Sequence, residues 1–237
     1  SASGNRFEHS IGVGYLAKKY GQTLQQKYPN KVTNRQIELL TIAGLCHDIG
    51  HGPYSHLFDS VVTTNHEERS QQIIKYIIDK YNIPLDDDDL EIINNMILPP
   101  KNNNLPWYYQ IISNEIDVDR MDYIIRDSSN IGYSVAFNKY QVEKIIMNAE
   151  IIDNQLKFNS SQDINDFFEA RSYLYKRVYR HPKVVEMDNI LIQILREENL
   201  NLTTIEDFLK LDDSILYQLY HSPKYKSRIS KIFEGSF

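Results

Sequence analysis

The sequence predicts an all-α protein, and three observations carry that expectation. Apolar residues recur at three- and four-residue spacing along most of the 237 residues. The apolar runs are bounded by helix start and stop residues rather than by the closely spaced turns of a β protein. Only one short stretch, Glu150-Ile-Ile-Asp-Asn-Gln-Leu-Lys-Phe158, reads as a β-hairpin, with Asp153-Asn154 at its turn.

The elements follow in order. Phe7 to Tyr28 carries Ile11, Tyr15, Leu16 and Leu24 on a helical period and stops at Pro29-Asn30. Arg35 to His47 begins after Thr33-Asn34 and ends at the breaker Gly50-His51-Gly52-Pro53. Further helices are expected at 66–81, 87–98, 107–114, 116–129, 138–149, 163–180, 183–198, 203–210, 212–220 and 224–234. The run Asp86 to Asp89 suits a helix N-terminus, where carboxylates meet the positive end of the dipole. Pro99 to Pro106 is the one clear loop, and residues from about 185 onward read as a peripheral helical lobe.

Composition narrows the function. The hydrophobic share of 41% and net charge of -6 fit a globular protein rather than a general nucleic-acid binder, which needs a basic surface. The single Cys46 excludes a disulfide framework and suits a reducing compartment, cytoplasmic or nuclear. No stretch reaches the length of a membrane span, so no membrane partner is expected. The chain lacks an initiator Met and enters motif-dense sequence at once, which implies a start inside a larger protein. Cations are concentrated locally: Arg171, Lys176, Arg177, Arg180 and Lys183 crowd one segment. Alone, such a run is a solvated helix face; beside an anion site it becomes a wall.

The chemistry gathers around His47-Asp48, at the end of the apolar run IELLTIAGLC. His9 precedes the pair, and His51, His56 and His66 follow it. A later run, EIDVDRMDY, supplies Asp117, Asp119 and Asp122. Imidazoles with carboxylates suit a borderline divalent ion such as Fe, Mn, Zn or Ni. Adjacent side chains bind one ion only where the backbone turns, and Gly50 and Gly52 permit a turn there. His9, His47, Asp48 and Asp119 lie on three helices that can converge on one ion from a bundle core. The isolated His181 and His221 are ordinary polar residues by comparison.

The blocks NRFEHSIGVGYLA, AGLCHDIGHGPYSHLFD, NHEE and IDVDRMDYIIRD, in that order, resemble the HD-domain metal-dependent phosphohydrolases. Within them the chain is most similar to the catalytic core of the sterile-alpha-motif and HD-domain dNTP triphosphohydrolases; FFEARSYLYKRVYRHPKVV matches more loosely. The resemblance implies an HD catalytic core over 1–184, truncated at its N-terminus, with 185–237 a peripheral helical part of the same domain. It implies His9, His47, Asp48 and Asp119 as ligands of a divalent ion, with Mg added to Fe, Mn and Zn as candidates. By the same resemblance His51 and His66 assist hydrolysis, His56 protonates the leaving 5′-oxygen, and Asp59 orients an imidazole. Arg6 and Arg120 would clamp the α-phosphate, and Arg171 would hold the far end of the triphosphate. Tyr123 and Asp127, one helical turn apart, would meet the sugar, and Tyr179 the base.

The implied reaction is dNTP plus water to deoxynucleoside plus triphosphate. The alternatives are another HD-type nucleotidase or phosphodiesterase, or a non-catalytic module binding nucleotide or single-stranded RNA. Departures from the family touch both the substrate site and regulation. Arg120 stands where the best-known relative has a lysine, Tyr175 where it has a histidine, and Gln141 where a regulatory-site arginine belongs. A homo-oligomer is compatible with the resemblance, but nucleotide-triggered tetramerisation is not expected.

Overall fold

The computed structural model describes residues 5–101, 104–159, 161–200, 202 and 204–234. Among these the chain forms thirteen α-helices and one two-stranded hairpin, an all-α architecture. Residues 102 and 103 of the expected loop, and residue 203 at the start of one expected helix, lie outside the described residues.

Helix α1 (Arg6–Lys27) starts at Asn5, whose side chain accepts from the Glu8 N–H. It packs closely against α2 (Asn34–Cys46), which opens with a capping box between Thr33 and Gln36. Val13, Ala17, Tyr20, Leu24, Leu40 and Ala43 are fully buried there. A single turn, α3 (His56–Asp59), follows the HD pair. The pattern of apolar residues gave no sign of it, because four residues are too few to show a helical period.

Helix α4 (His66–Tyr81) is capped by Asn65 with Glu68, and α5 (Asp87–Ile97) by Asp86 with Asp89. The acidic run thus works as a cap, as its position suggested. Arg35 of α2 also pairs with Asp89, tying α2 to α5. Helices α6 (Trp107–Ile112), α7 (Val118–Asn130) and α8 (Lys139–Asn148) complete the bundle around α1 and α2. After α8 comes the hairpin of β1 (Glu150–Ile152) and β2 (Gln155–Lys157), in the register Ile151 opposite Leu156. Asp153 and Asn154 both have positive φ, the requirement of a two-residue turn matching strand twist.

The helix expected over 163–180 changes character near its end. The α-helical part, α9 (Gln162–Leu174), runs into a π-helical turn over Tyr175–Tyr179. The Arg180 N–H donates to the carbonyl of Tyr175, five residues back, at 2.9 Å. A single π-helical turn inside or at the end of an α-helix often marks a functional site.

Two apolar cores result. The larger joins α1, α2 and α4–α9 with the hairpin. The smaller joins Leu57 and Phe58 of α3 and Ile73 of α4 to α10 (Pro182–Glu198), α11 (Ile205–Phe208), α12 (Ile215–Tyr220) and α13 (Lys226–Glu234). No helix among the described residues is long and apolar enough to cross a membrane.

Candidate functional site

His9 stands in the first turns of α1, His47 and Asp48 just past the end of α2, and Asp119 in the first turn of α7. The close packing of these three helices brings the four side chains to one point. The His9 Nε2 lies 3.1 Å from Oδ1 of Asp119 and 3.7 Å from Oδ2 of Asp48. The His47 Nε2 lies 3.4 Å from Oδ1 of Asp48 and 3.6 Å from Oδ1 of Asp119.

Each imidazole is aimed by its other nitrogen. The Nδ1 of His47 donates to the carbonyl of Gly44 at 2.9 Å, and that of His9 to Asp122 at 2.8 Å. Both Nε2 atoms therefore face the shared point. Asp122 is itself held by two 2.9 Å hydrogen bonds from Arg126. Sequence reasoning noted Asp122 but gave it no role. Its signal was the spacing Asp119-x-x-Asp122, which places both carboxylates on one helix face.

The electrostatics fit a divalent cation. Burial works against charge on His9, yet the hydrogen bonds to Asp119 and Asp122 overrule it and raise its pKa to about 10. Burial likewise opposes charge on His47, and the nearby Asp48 and Asp119 carboxylates raise it regardless. Conversely, burial would raise the Asp119 carboxyl, but the flanking imidazoles of His47 and His9 hold it well below the usual range. The cluster thus demands positive charge, which protons or a metal ion can supply. His47 Nε2 is buried without a hydrogen-bond partner, as a ring nitrogen is when its lone pair is reserved for a metal. His9, His47 and Asp48 each bring a donor atom within 4.8 Å of the others. The residues present fit the ion that the sequence implied.

A second cluster adjoins the first. His51 follows Asp48 by one turn, and its Nε2 lies 3.4 Å from Oδ1 of that carboxylate. Its ring stacks on that of His66, with centroids 3.9 Å apart, and His56 meets both edge-on. Burial pushes the His51 pKa down to about 4 despite the pull of Asp48, leaving the ring neutral at neutral pH. Its Nδ1 is buried and unpartnered. Asp59 accepts from His66 Nδ1 at 2.7 Å, whereas His56 Nδ1 is 3.9 Å away. The side chain of His56 is 78% exposed and so open to a ligand. Asp59 also pairs with Arg69, a buried residue that sequence reasoning missed. Arg69 donates as well to the carbonyl of Gly50 at 2.8 Å, locking α4 onto the HD turn.

The turn itself differs from expectation. Neither Gly50 nor Gly52 has positive φ; the left-handed residues are Tyr54 (φ 60) and Ser55 (φ 65). Gly50 serves close approach instead, because a Cβ there would stand 2.1 Å from the His66 carbonyl oxygen and 2.3 Å from the Ser70 nitrogen. The two left-handed residues each cost on the order of 1 kcal/mol.

Of the residues expected to meet phosphate and sugar, Arg6 lines the cavity beside the cluster, and the others are held by partners of their own. Arg6 donates to Asp48 at 2.8 Å and to the Ser55 hydroxyl. Arg120 is engaged by the Asn114 carbonyl at 2.6 Å and by Asp117, the buried N-cap of α7. The Tyr179 hydroxyl donates to Asp127 at 2.6 Å, with its ring edge-on to Tyr123 at 6.1 Å. Arg171 lies against Tyr123. By contrast Tyr175, Lys176, Arg177 and Arg180 are exposed, so most of the basic run faces solvent. A cavity of about 390 Å³ opens beside Arg6, Asp48 and His51, floored by Phe7, Ile11 and Leu45.

Helices converging on a His, His-Asp, Asp cluster define a class of protein. The family model for the HD domain matches residues 6–127, and the chain belongs to the HD-domain family. Within that family, it is 33% identical over 241 residues to the deoxynucleoside triphosphate triphosphohydrolase SAMHD1 homolog of Dictyostelium discoideum, a match spanning 92% of this chain and 46% of the relative. It is 31% identical over 254 residues to deoxynucleoside triphosphate triphosphohydrolase SAMHD1 of Homo sapiens, covering 90% of this chain and 38% of that protein. A putative HD domain-containing protein, L394, of Acanthamoeba polyphaga mimivirus is 32% identical, with 92% and 54% covered. The chain thus spans about half, or less, of the length of these relatives.

Proposed function

We propose that the chain is a metal-dependent phosphohydrolase that cleaves a deoxynucleoside triphosphate at its α-phosphate, releasing the deoxynucleoside and intact triphosphate. The observation that carries the reading is the meeting of His9, His47, Asp48 and Asp119 at one point with both Nε2 atoms aimed inward. His9, His47, Asp48 and Asp119 would hold a divalent ion, which when bound would supply Lewis acidity toward water and the phosphoryl group. The similarity to triphosphohydrolases supports the choice of substrate.

The remaining residues have roles that their positions suit. Arg6 bridges Asp48 and Ser55 at the mouth of the cavity and would exchange a partner for an α-phosphate oxygen. Arg120 and Arg171 would offset charge on the outgoing triphosphate. Water attacks the α-phosphorus, and the bond from phosphorus to the 5′-oxygen breaks. His56, exposed at the edge of the imidazole cluster, gives that oxygen its proton. His66, with the ring of His51 stacked on it, would take the proton that the attacking water gives up, and Asp59 fixes the orientation of His66. Tyr123 would pack on the sugar, Asp127 would accept from its 3′-hydroxyl in place of Tyr179, and Tyr179 would border the base.

The test is product analysis. Incubated with each dNTP and Mn or Mg, the protein should release inorganic triphosphate in step with deoxynucleoside. Replacing both His47 and Asp48 by alanine should abolish metal retention and turnover together. Pyrophosphate or monophosphate as product would move the reading to a different HD-type phosphohydrolase.

A further inference from the structure

The turn between the HD pair and α3 holds a conformation that its own residues do not favour. Tyr54 and Ser55 are consecutive non-glycine residues with φ of 60 and 65, and Ser55 has ψ of -126. Bulky L residues reach such backbone only when the surroundings over-determine it. The surroundings that do so come from the C-terminal helices. The Tyr54 N–H donates to Oδ1 of Asp213 at 2.8 Å, and the Tyr54 hydroxyl donates to the Asp213 carbonyl at 2.7 Å. At the other end of α3, Arg196 donates to the Ser60 carbonyl at 2.6 Å. Between these two anchors, Leu57 and Phe58 are buried against Leu191, Ile194 and Phe208.

The clamped segment is chemically loaded. Ser55 accepts from Arg6, which also grips Asp48, and His56 follows immediately. We propose that Asp213 is a positioning residue for the reaction: by fixing the Tyr54–Ser55 turn it aims His56 and seats Ser55 under Arg6, which makes the C-terminal helices a working part of the active site. This rests on the reading of His56 and Arg6 as substrate-facing groups. Asp213 is exposed, and its side chain caps no helix, so replacing it leaves the fold's own supports in place. It touches none of His9, His47, Asp48 and Asp119, so metal content is an internal control.

The experiment compares Asp213→Ala and Asp213→Asn with the metal-loaded wild type. Asparagine keeps the oxygen that accepts from Tyr54; alanine removes it. Hydrogen exchange of amides 54–60, measured without substrate, should quicken about tenfold or more in the alanine variant, with metal content unchanged. The kcat for dNTP should fall by about tenfold or more while KM stays within about threefold, because a misaimed proton donor costs rate more than binding. Asp213→Asn should restore both readouts. Unchanged exchange in Asp213→Ala, or faster exchange with unchanged kcat, would overturn the proposal. So would an asparagine variant as impaired as the alanine one. If the wild type turns over no dNTP, the reading of the reaction fails, while the exchange measurement still decides whether Asp213 holds the turn.

Discussion

At the scale of single residues, the site is organised by what lies behind the donors. His9 and His47 each commit Nδ1 to an acceptor, one to Asp122 and one to the Gly44 carbonyl. Asp122 is therefore the side chain whose loss should be felt through another residue. Asp122→Ala frees the His9 ring and should weaken metal affinity by about 10–100-fold, as outer partners of ligating histidines generally do. Metal titration of the purified variant measures this, and wild-type affinity would show that His9 needs no such support. The meeting of His9, His47, Asp48 and Asp119 was legible in the sequence, since two of them are adjacent and the others sit near helix starts. The partners behind them were not. Nothing in the spacing of Arg69, Ser55 or Asp213 shows which carbonyl or hydroxyl each will face, because those contacts join segments far apart in the chain.

Among the secondary elements, two junctions govern how the donors meet. The first is the contact of the HD turn with α4, where Gly50 leaves no room for a side chain. Gly50→Ala must push α4 away from the turn, and with it His66, which stands at the start of that helix. A loss of about 1–3 kcal/mol in stability is expected from such overpacking, read as a lower melting temperature, together with reduced turnover. An unaltered melting temperature would mean that α4 shifts freely. The second junction is Arg35 of α2 with Asp89 of α5. The hydrogen bond from Arg35 holds the Asp89 carboxyl below its usual range. A depressed carboxyl stabilises the fold above its unfolded pKa, and that contribution is lost as pH falls through the folded value. Asp89→Asn should therefore lower the melting temperature at neutral pH, and the gap to wild type should close as pH drops below roughly 4. A gap of constant size across that range would assign the effect to the helix cap alone.

Element boundaries show where sequence patterns reach and where they stop. The long helices α1, α2, α4 and α5 and the Asp153-Asn154 hairpin were legible because caps, periodicity and turn residues agree there. The π-helical turn over Tyr175–Tyr179 was not, since its apolar and basic residues fit an ordinary helix equally well. What accompanies it is a tertiary contact, the Tyr179 hydroxyl donating to Asp127.

Taken as a whole, the molecule is a large core that assembles the donors and a smaller one that closes over α3. The net charge of -6 leaves Arg6, beside Asp48 at the cavity, a local cation in an acidic chain. That arrangement suits a small anion bound in a cleft better than a long polyanion lying across a surface. The proposed reaction breaks the bond between the α-phosphorus and the 5′-oxygen. Hydrolysis of a dNTP in heavy-oxygen water tests it most directly, because attack at the α-phosphorus leaves the solvent oxygen on phosphate. Labelled inorganic triphosphate and an unlabelled deoxynucleoside are expected, both lost when His47 and Asp48 are alanine. Label in the 5′-hydroxyl, or release of pyrophosphate or orthophosphate, would contradict it.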